Sequence, residues 1–126
     1  MKLEKYLRLD PSGELSWITI DRDHFLEGFY EAIGCTCVEH VLLKSPFECI
    51  VDESGWYSEH QYVNLYASRL YPGFSRGIPL IGPVVFVRTA IDEDGDPDLF
   101  PLASYQLPLL ERALGIAIPV EEVDHG

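Results

Sequence analysis

Positive charge is scarce in this chain, with 9 lysines and arginines against 21 aspartates and glutamates, a formal net charge of -12. Such a surplus repels phosphate backbones, so direct DNA or RNA binding is not expected. Cysteine is scarcer still. Cys35, Cys37 and Cys49 are an odd number that fits no closed disulfide framework, which points to reduced thiols and a cytoplasmic setting. Long apolar runs are missing too. The longest, about Leu80 to Val87, falls far short of the roughly 20 residues of a spanning helix, so no membrane partner is expected. Met1 and Lys2 lead into Leu3, Glu4 and Lys5 without the apolar centre of a signal peptide. There is no Gly-x-Ser-x-Gly elbow, no Gly-Lys-Ser/Thr phosphate loop and no His-Glu-x-x-His. Ser58, Glu59 and His60 are triad residue types, but immediate neighbours do not converge as a triad must. Gly73 to Gly77 is a flexible stretch without the lysine of a phosphate loop. These absences argue against an enzyme.

What is present is a core. Apolar residues make up 47% of 126 positions, enough for one globular domain over 1–126. Residues 3–9 read as a strand closed by the turn Asp10-Pro11-Ser12-Gly13, and 16–20 as its hairpin partner. Asp21 stands where a helix N-cap belongs. Phe25, Leu26, Phe29, Tyr30 and Ile33 follow at helical spacing, and Gly34 stops the helix. Strands are expected at 35–43 and 47–52, joined through Lys44-Ser45-Pro46. A helix is expected at 58–71 on Tyr62, Leu65, Tyr66 and Leu70, ended by Pro72 and Gly73. A long strand at 79–90, bent at Gly82-Pro83, leads to an acidic loop at 92–98. The last helix falls near 103–114, with Pro108 in its first turns, and the tail after Pro119 is expected to fray. The fold class is α+β: a mixed or antiparallel sheet of about five strands, with two or three helices packed on one face.

With these elements placed, the chain resembles the domain-of-unknown-function family numbered 3846, small proteins of bacteria, phages and mobile elements. The resemblance rests on Ile20-Asp21 opening the helix, Ile33-Gly34-Cys35 with Val38-Glu39, and Val51-Asp52-Glu53-Ser54-Gly55 as an acidic turn. Asn64, Ala67 and Ser68 resemble its Asn-x-x-Ala-Ser element, and Ile81-Gly82 precedes a hydrophobic strand as it does there. These residues span about 17–105. Val51-Asp52 departs from the Asn-Glu that members often carry. The family has no established activity, so the resemblance implies a genomic setting rather than a reaction.

Four constellations could carry chemistry. Cys35, Cys37, His40 and Cys49 contain zinc-ligand types, but a strand would point His40 away from the two nearer thiols. Small buried thiols on a core face are the simpler account, and no metal or cofactor is expected. The run Asp92-Glu93-Asp94-Gly95-Asp96-Pro97-Asp98 suggests calcium, yet an EF-hand register counted from Asp92 meets Pro97 sixth and Ala103 twelfth. Placing Gly95 sixth puts Ala90 first and Pro101 twelfth, so both registers fail. Asp23, Glu27 and Glu31 form a carboxylate stripe at i, i+4, i+8, about 6 Å apart along a helix. That interval approaches the spacing of phosphates along a nucleic-acid strand. Tyr62, Tyr66, Asn64, Ser68, Arg69 and Arg76, with Trp56, Tyr57 and Tyr71 nearby, make the most ligand-like region, because aromatics stack on bases and arginines hold phosphate.

The sequence therefore leads to a small, acidic, non-enzymatic accessory protein of phage or mobile-element type. It would bind a host protein with a basic surface through Asp23, Glu27 and Glu31 with Asp92, Asp94 and Asp96. A nucleotide-binding or sequestering protein, in the form of a homo-oligomer, is the alternative. A zinc-binding protein is the distant third.

Overall fold

Along Leu3–Leu9 (β1) side chains alternate between two buried environments, and the turn at Asp10 to Gly13 returns the chain as Leu15–Asp21 (β2). Their antiparallel register runs from Leu3 opposite Asp21 to Leu9 opposite Leu15. The turn is held by Gly13 N–H donating to the Asp10 carbonyl at 2.9 Å. The computed structural model describes residues 1–57 and 62–121.

Asp21 does cap, but not the α-helix directly. Its Oδ1 accepts from the Asp23 N–H at 3.0 Å and so closes a 3-10 turn at Arg22–His24. The α-helix proper runs Phe25–Ile33 (α1) and ends at Gly34, whose φ of 79° suits a residue without a Cβ. Phe29 and Ile33 are buried as the spacing predicts, whereas Leu26 points to solvent at 52% exposure. Gly28 lets α1 approach β2 closely: a Cβ there would lie 2.6 Å from Ile20 Cγ2.

Val38–Leu42 (β3) and Glu48–Asp52 (β4) form the next hairpin, turning through a cis Ser45–Pro46 bond. Val84–Ile91 (β5) then inserts between the two hairpins, giving the order β2-β1-β5-β4-β3 with every pair antiparallel. A sixth strand, Pro97–Phe100 (β6), pairs with the far half of β5. The expected acidic loop is thus shorter, because Pro97 and Asp98 already belong to a strand. A proline is tolerated there as the first residue of an edge strand.

The sheet is covered on both faces, not on one. Leu7, Leu9, Cys49, Val51, Val84 and Phe86 meet Leu110 and Leu114 of Gln106–Leu114 (α3) on the first face. Tyr6, Ile20, Ile50, Val85 and Val87 meet Phe29 and Ile33 of α1 on the second. An apolar run without alternation, such as Val84 to Val87, is what burial on both faces requires.

Of the expected helix over 58–71, the described residues from Tyr62 on hold one turn, Leu65–Ser68 (α2), followed by a 3-10 stretch at Pro72–Arg76. Long-range pairing overrides the helical spacing: Val63 bridges Ile81, and the Asn64 N–H donates to the Leu80 carbonyl at 2.9 Å. Residues 58–61, and with them Ser58, Glu59 and His60, lie outside the described residues, as do 122–126 of the tail. Among the described residues no helix is long and apolar enough to cross a membrane.

Candidate functional site

The carboxylate stripe is shorter than its spacing predicts, because Asp23 lies in the 3-10 turn before α1 and only Glu27 and Glu31 stand on the helix. All three are exposed. Asp23 Oδ2 meets the Met1 ammonium at 3.4 Å, a pair too exposed to contribute much. Glu27 and Glu31 have no cationic partner among the described residues.

The second acidic segment is less uniform. Asp92 Oδ1 accepts from the N–H groups of Asp94 and Asp96, each at 2.9 Å, so this carboxylate shapes the β5–β6 turn. Asp94 and Asp96 project into solvent. Arg22, immediately before Asp23, ties this hairpin to the start of the helix. Its Nε contacts Glu4 Oε1 at 2.7 Å and its Nη1 contacts Asp98 Oδ2 at 3.1 Å. Nη2 donates to the Tyr6 hydroxyl and the Leu99 carbonyl, while the guanidinium lies 4.7 Å from the Phe25 ring and 4.5 Å from Phe100. Burial, and after it the Glu4 carboxylate, pushes the Tyr6 hydroxyl far above the ordinary phenol range. Both acidic segments therefore spring from one cross-braced corner.

The ligand-like region separates into two kinds of residue. Asn64 and Ser68 are fully buried and structural. Asn64 Nδ2 donates to the carbonyls of Leu9 and Gly82, each at 3.0 Å, while Oδ1 accepts from Ala67 N–H at 3.1 Å. Ser68 Oγ accepts from the Leu80 N–H at 2.8 Å. Neither can reach a ligand, because every hydrogen bond described for these side chains is made inside the core. Tyr62 is 63% exposed, and Tyr66 is half-buried with its ring against Gly13. Arg69 sits 5.9 Å from the Tyr66 ring and lines an open depression of about 390 Å³ with Lys44, Tyr71 and Phe74. Arg76 is exposed and does not line it. The six residues are not gathered into one pocket.

The thiols are dispersed. β3 begins only at Val38, so Cys35 and Cys37 lie in the connection before it rather than alternating along a strand. Cys35 packs on the second face, Cys49 is buried in the first, and Cys37 is exposed. Burial pushes the Cys49 thiol far above its usual range; it also raises Cys35, aided by the Asp52 charge. Among the described residues no group of three or more His, Cys, Asp or Glu side chains could hold a metal ion.

Sequence reasoning missed a cleft of about 510 Å³ beside the β3–β4 turn, lined by Leu42, Pro46, Glu48, Arg88, Thr89 and Tyr105. Its residues come from three distant stretches, so no local motif announces it. Glu48 accepts from Thr89 Oγ1 at 2.6 Å, Thr89 N–H at 3.1 Å and His40 Nε2 at 2.9 Å. Burial opposes its charge, but these bonds outweigh burial and hold its carboxyl below the usual glutamate range. The order hydroxyl–carboxylate–imidazole differs from the hydroxyl–imidazole–carboxylate order of an acyl-transfer triad, since the Thr89 oxygen faces the Glu48 carboxylate and not the His40 imidazole. No family model, curated protein or solved structure matches the chain.

Proposed function

We propose that this protein is a non-enzymatic accessory factor of phage or mobile-element type that binds a basic surface on a host protein. One observation carries the reading: Glu27 and Glu31 stand exposed on one helix with no cation paired to them among the described residues, in a chain of net charge -12. Like charges at i, i+4 cost a helix a few tenths of a kcal/mol, which for Glu27 is offset by its place in the first turn of α1, while Glu31 has no such compensation. Carboxylates about 6 Å apart offer a basic groove what a phosphate backbone would offer. Asp94 and Asp96 extend the acidic surface from the adjoining hairpin, which Arg22 fixes against the helix start.

The test is capture from a host lysate with immobilised wild type and with the double variant Glu27→Lys, Glu31→Lys. The wild type should retain a basic protein that elutes steeply with salt. The variant should lose most of it and show a flatter salt dependence. Equal retention by both would end this reading. The nucleotide-binding alternative retains only Tyr62, Tyr66 and Arg69 with Arg76, since Asn64 and Ser68 are buried. A nucleotide panel in a thermal-shift assay decides it, because a bound ligand at a hundredfold excess over Kd adds about 2.7 kcal/mol.

A further inference from the structure

The two edge strands of the sheet are β2 and β3. β2 meets the C-terminal segment through one side-chain bond, Trp17 Nε1 donating to the Pro119 carbonyl at 2.7 Å. At β3 nothing among the described residues pairs with the outer side of Val38–Leu42, and the first outward bond comes two residues on, where Lys44 N–H donates to the Leu70 carbonyl at 2.7 Å. Flanking bonds show which backbone groups face outward. Leu43 N–H donates to the Phe47 carbonyl at 3.0 Å, and Glu53 N–H to the Cys37 carbonyl at 3.1 Å. With Leu42 opposite Glu48 and Val38 opposite Asp52, residues 37, 39, 41 and 43 are the hydrogen-bonded positions of the β3–β4 ladder. The N–H and C=O groups of Val38, His40 and Leu42 therefore point away from the sheet. The strand has no proline, lysine or bulge, and its guards against pairing are its short length and the one carboxylate of Glu39.

We propose that β3 pairs with β3 of a second copy of this chain about a two-fold axis at His40, merging two sheets into one. The strand is self-complementary in that register. His40 faces His40 of the second copy, and Val38 faces Leu42, so all three outward positions exchange both of their backbone bonds. On the second sheet face Leu42, 66% exposed in the single chain, covers the half-buried Val38 of the other copy. On the first face Glu39 lies beside Val41 rather than beside another Glu39, so like charges are not directly opposed. Two-fold axes at Val38 or Leu42 would use fewer of the outward groups. α1, bearing the carboxylate stripe, packs mainly on β2, β5 and β4 and leaves this edge uncovered. The inference does not depend on the proposed function.

Sedimentation equilibrium at about 0.15 M salt, where charges beyond about 8 Å are screened, should give twice the chain mass. Leu42→Lys should return the single-chain mass while leaving the far-ultraviolet circular dichroism unchanged, since Leu42 is outside the core. Register is read by oxidation in a Cys37→Ser background. His40→Cys should form a symmetric interchain disulfide, because facing hydrogen-bonded residues have Cα atoms about 5.5 Å apart. Glu39→Cys, separated diagonally from its own copy by about 7–8 Å, should not. A single-chain mass at all concentrations overturns the proposal. So does a dimer that survives Leu42→Lys or cross-links equally at position 39, and so does a monomer that instead takes up an extended peptide along this edge.

Discussion

Replacing Asn64 by alanine tests whether this residue holds the fold or serves a ligand. Its side chain joins three segments: Nδ2 reaches the carbonyls of Leu9 and Gly82, and Oδ1 caps α2 at Ala67 N–H. A neutral hydrogen bond contributes about 1 kcal/mol net, and a capping asparagine changed to alanine costs about 1 kcal/mol. Asn64→Ala should therefore destabilise by about 3 kcal/mol. Urea unfolding followed by circular dichroism reads this directly. With m of about 1–3 kcal/mol/M the midpoint should fall by about 1–3 M at unchanged m. Asn64→Asp separates geometry from size. An ionised carboxylate would face two carbonyls, so the folded state favours the protonated acid and the folded pKa rises. The stability of that variant is then fullest below about pH 3.9 and is lost as pH rises through the carboxylate range. The reasoning fails if Asn64→Ala costs less than about 0.5 kcal/mol, which is what a solvent-facing ligand contact would give.

Gly28→Ala should destabilise by about 1–3 kcal/mol although alanine is the better helix former, since its Cβ would meet Ile20 Cγ2 at 2.6 Å; a raised Tm would refute the close helix–sheet approach. Alkali should weaken the protein in two stages. Cys49 keeps its proton in the folded state, so its contribution is full below the unfolded thiol's pKa of about 8.5 and declines above it. Tyr6 adds the same effect above about pH 10, each group contributing a slope of at most about 1.4 kcal/mol per pH unit. Urea midpoints that stay level from pH 7 to 10.5 would contradict both burials. Native thiol labelling read by peptide mass mapping should modify Cys37 first and Cys49 only after unfolding.

Local signals were legible in the sequence. The Asp10 to Gly13 turn, the period-two strands and the Phe29, Ile33 spacing all act within a few residues, and each element formed where its pattern lay. The misreadings share a cause, which is that long-range pairing outweighs local pattern. Tyr62, Leu65, Tyr66 and Leu70 have helical spacing, but backbone bonds joining the Tyr62 carbonyl to Gly82 N–H and Asn64 N–H to the Leu80 carbonyl keep the chain extended up to Asn64. Asn64 looks like a ligand residue by type; only the fold brings Leu9 and Gly82 to its amide. β6 went unread because Asp98, Leu99 and Phe100 follow a dense acidic run that resembles a solvated loop. The cover on both faces could have been read from the unbroken apolar run in β5. The exposure of Glu27 and Glu31 follows from helical geometry alone, whereas Arg22 as the brace behind them could not be anticipated without the sheet.

The position of β5 has a consequence for synthesis. Among the described residues it is the only strand touching both hairpins, yet it is the fifth of six in chain order. As the polypeptide leaves a ribosome, the β1–β2 and β3–β4 ribbons emerge first and have no strand between them. Two-stranded ribbons are marginal in water, and each exposes apolar residues on both sides until β5 arrives. Assembly must then proceed nearly at once, because a single strand supplies side chains to both cores. The nascent chain should stay protease-sensitive until β5 has cleared the exit tunnel, and become fully resistant only when α3, which closes the first face with Leu110 and Leu114, has followed.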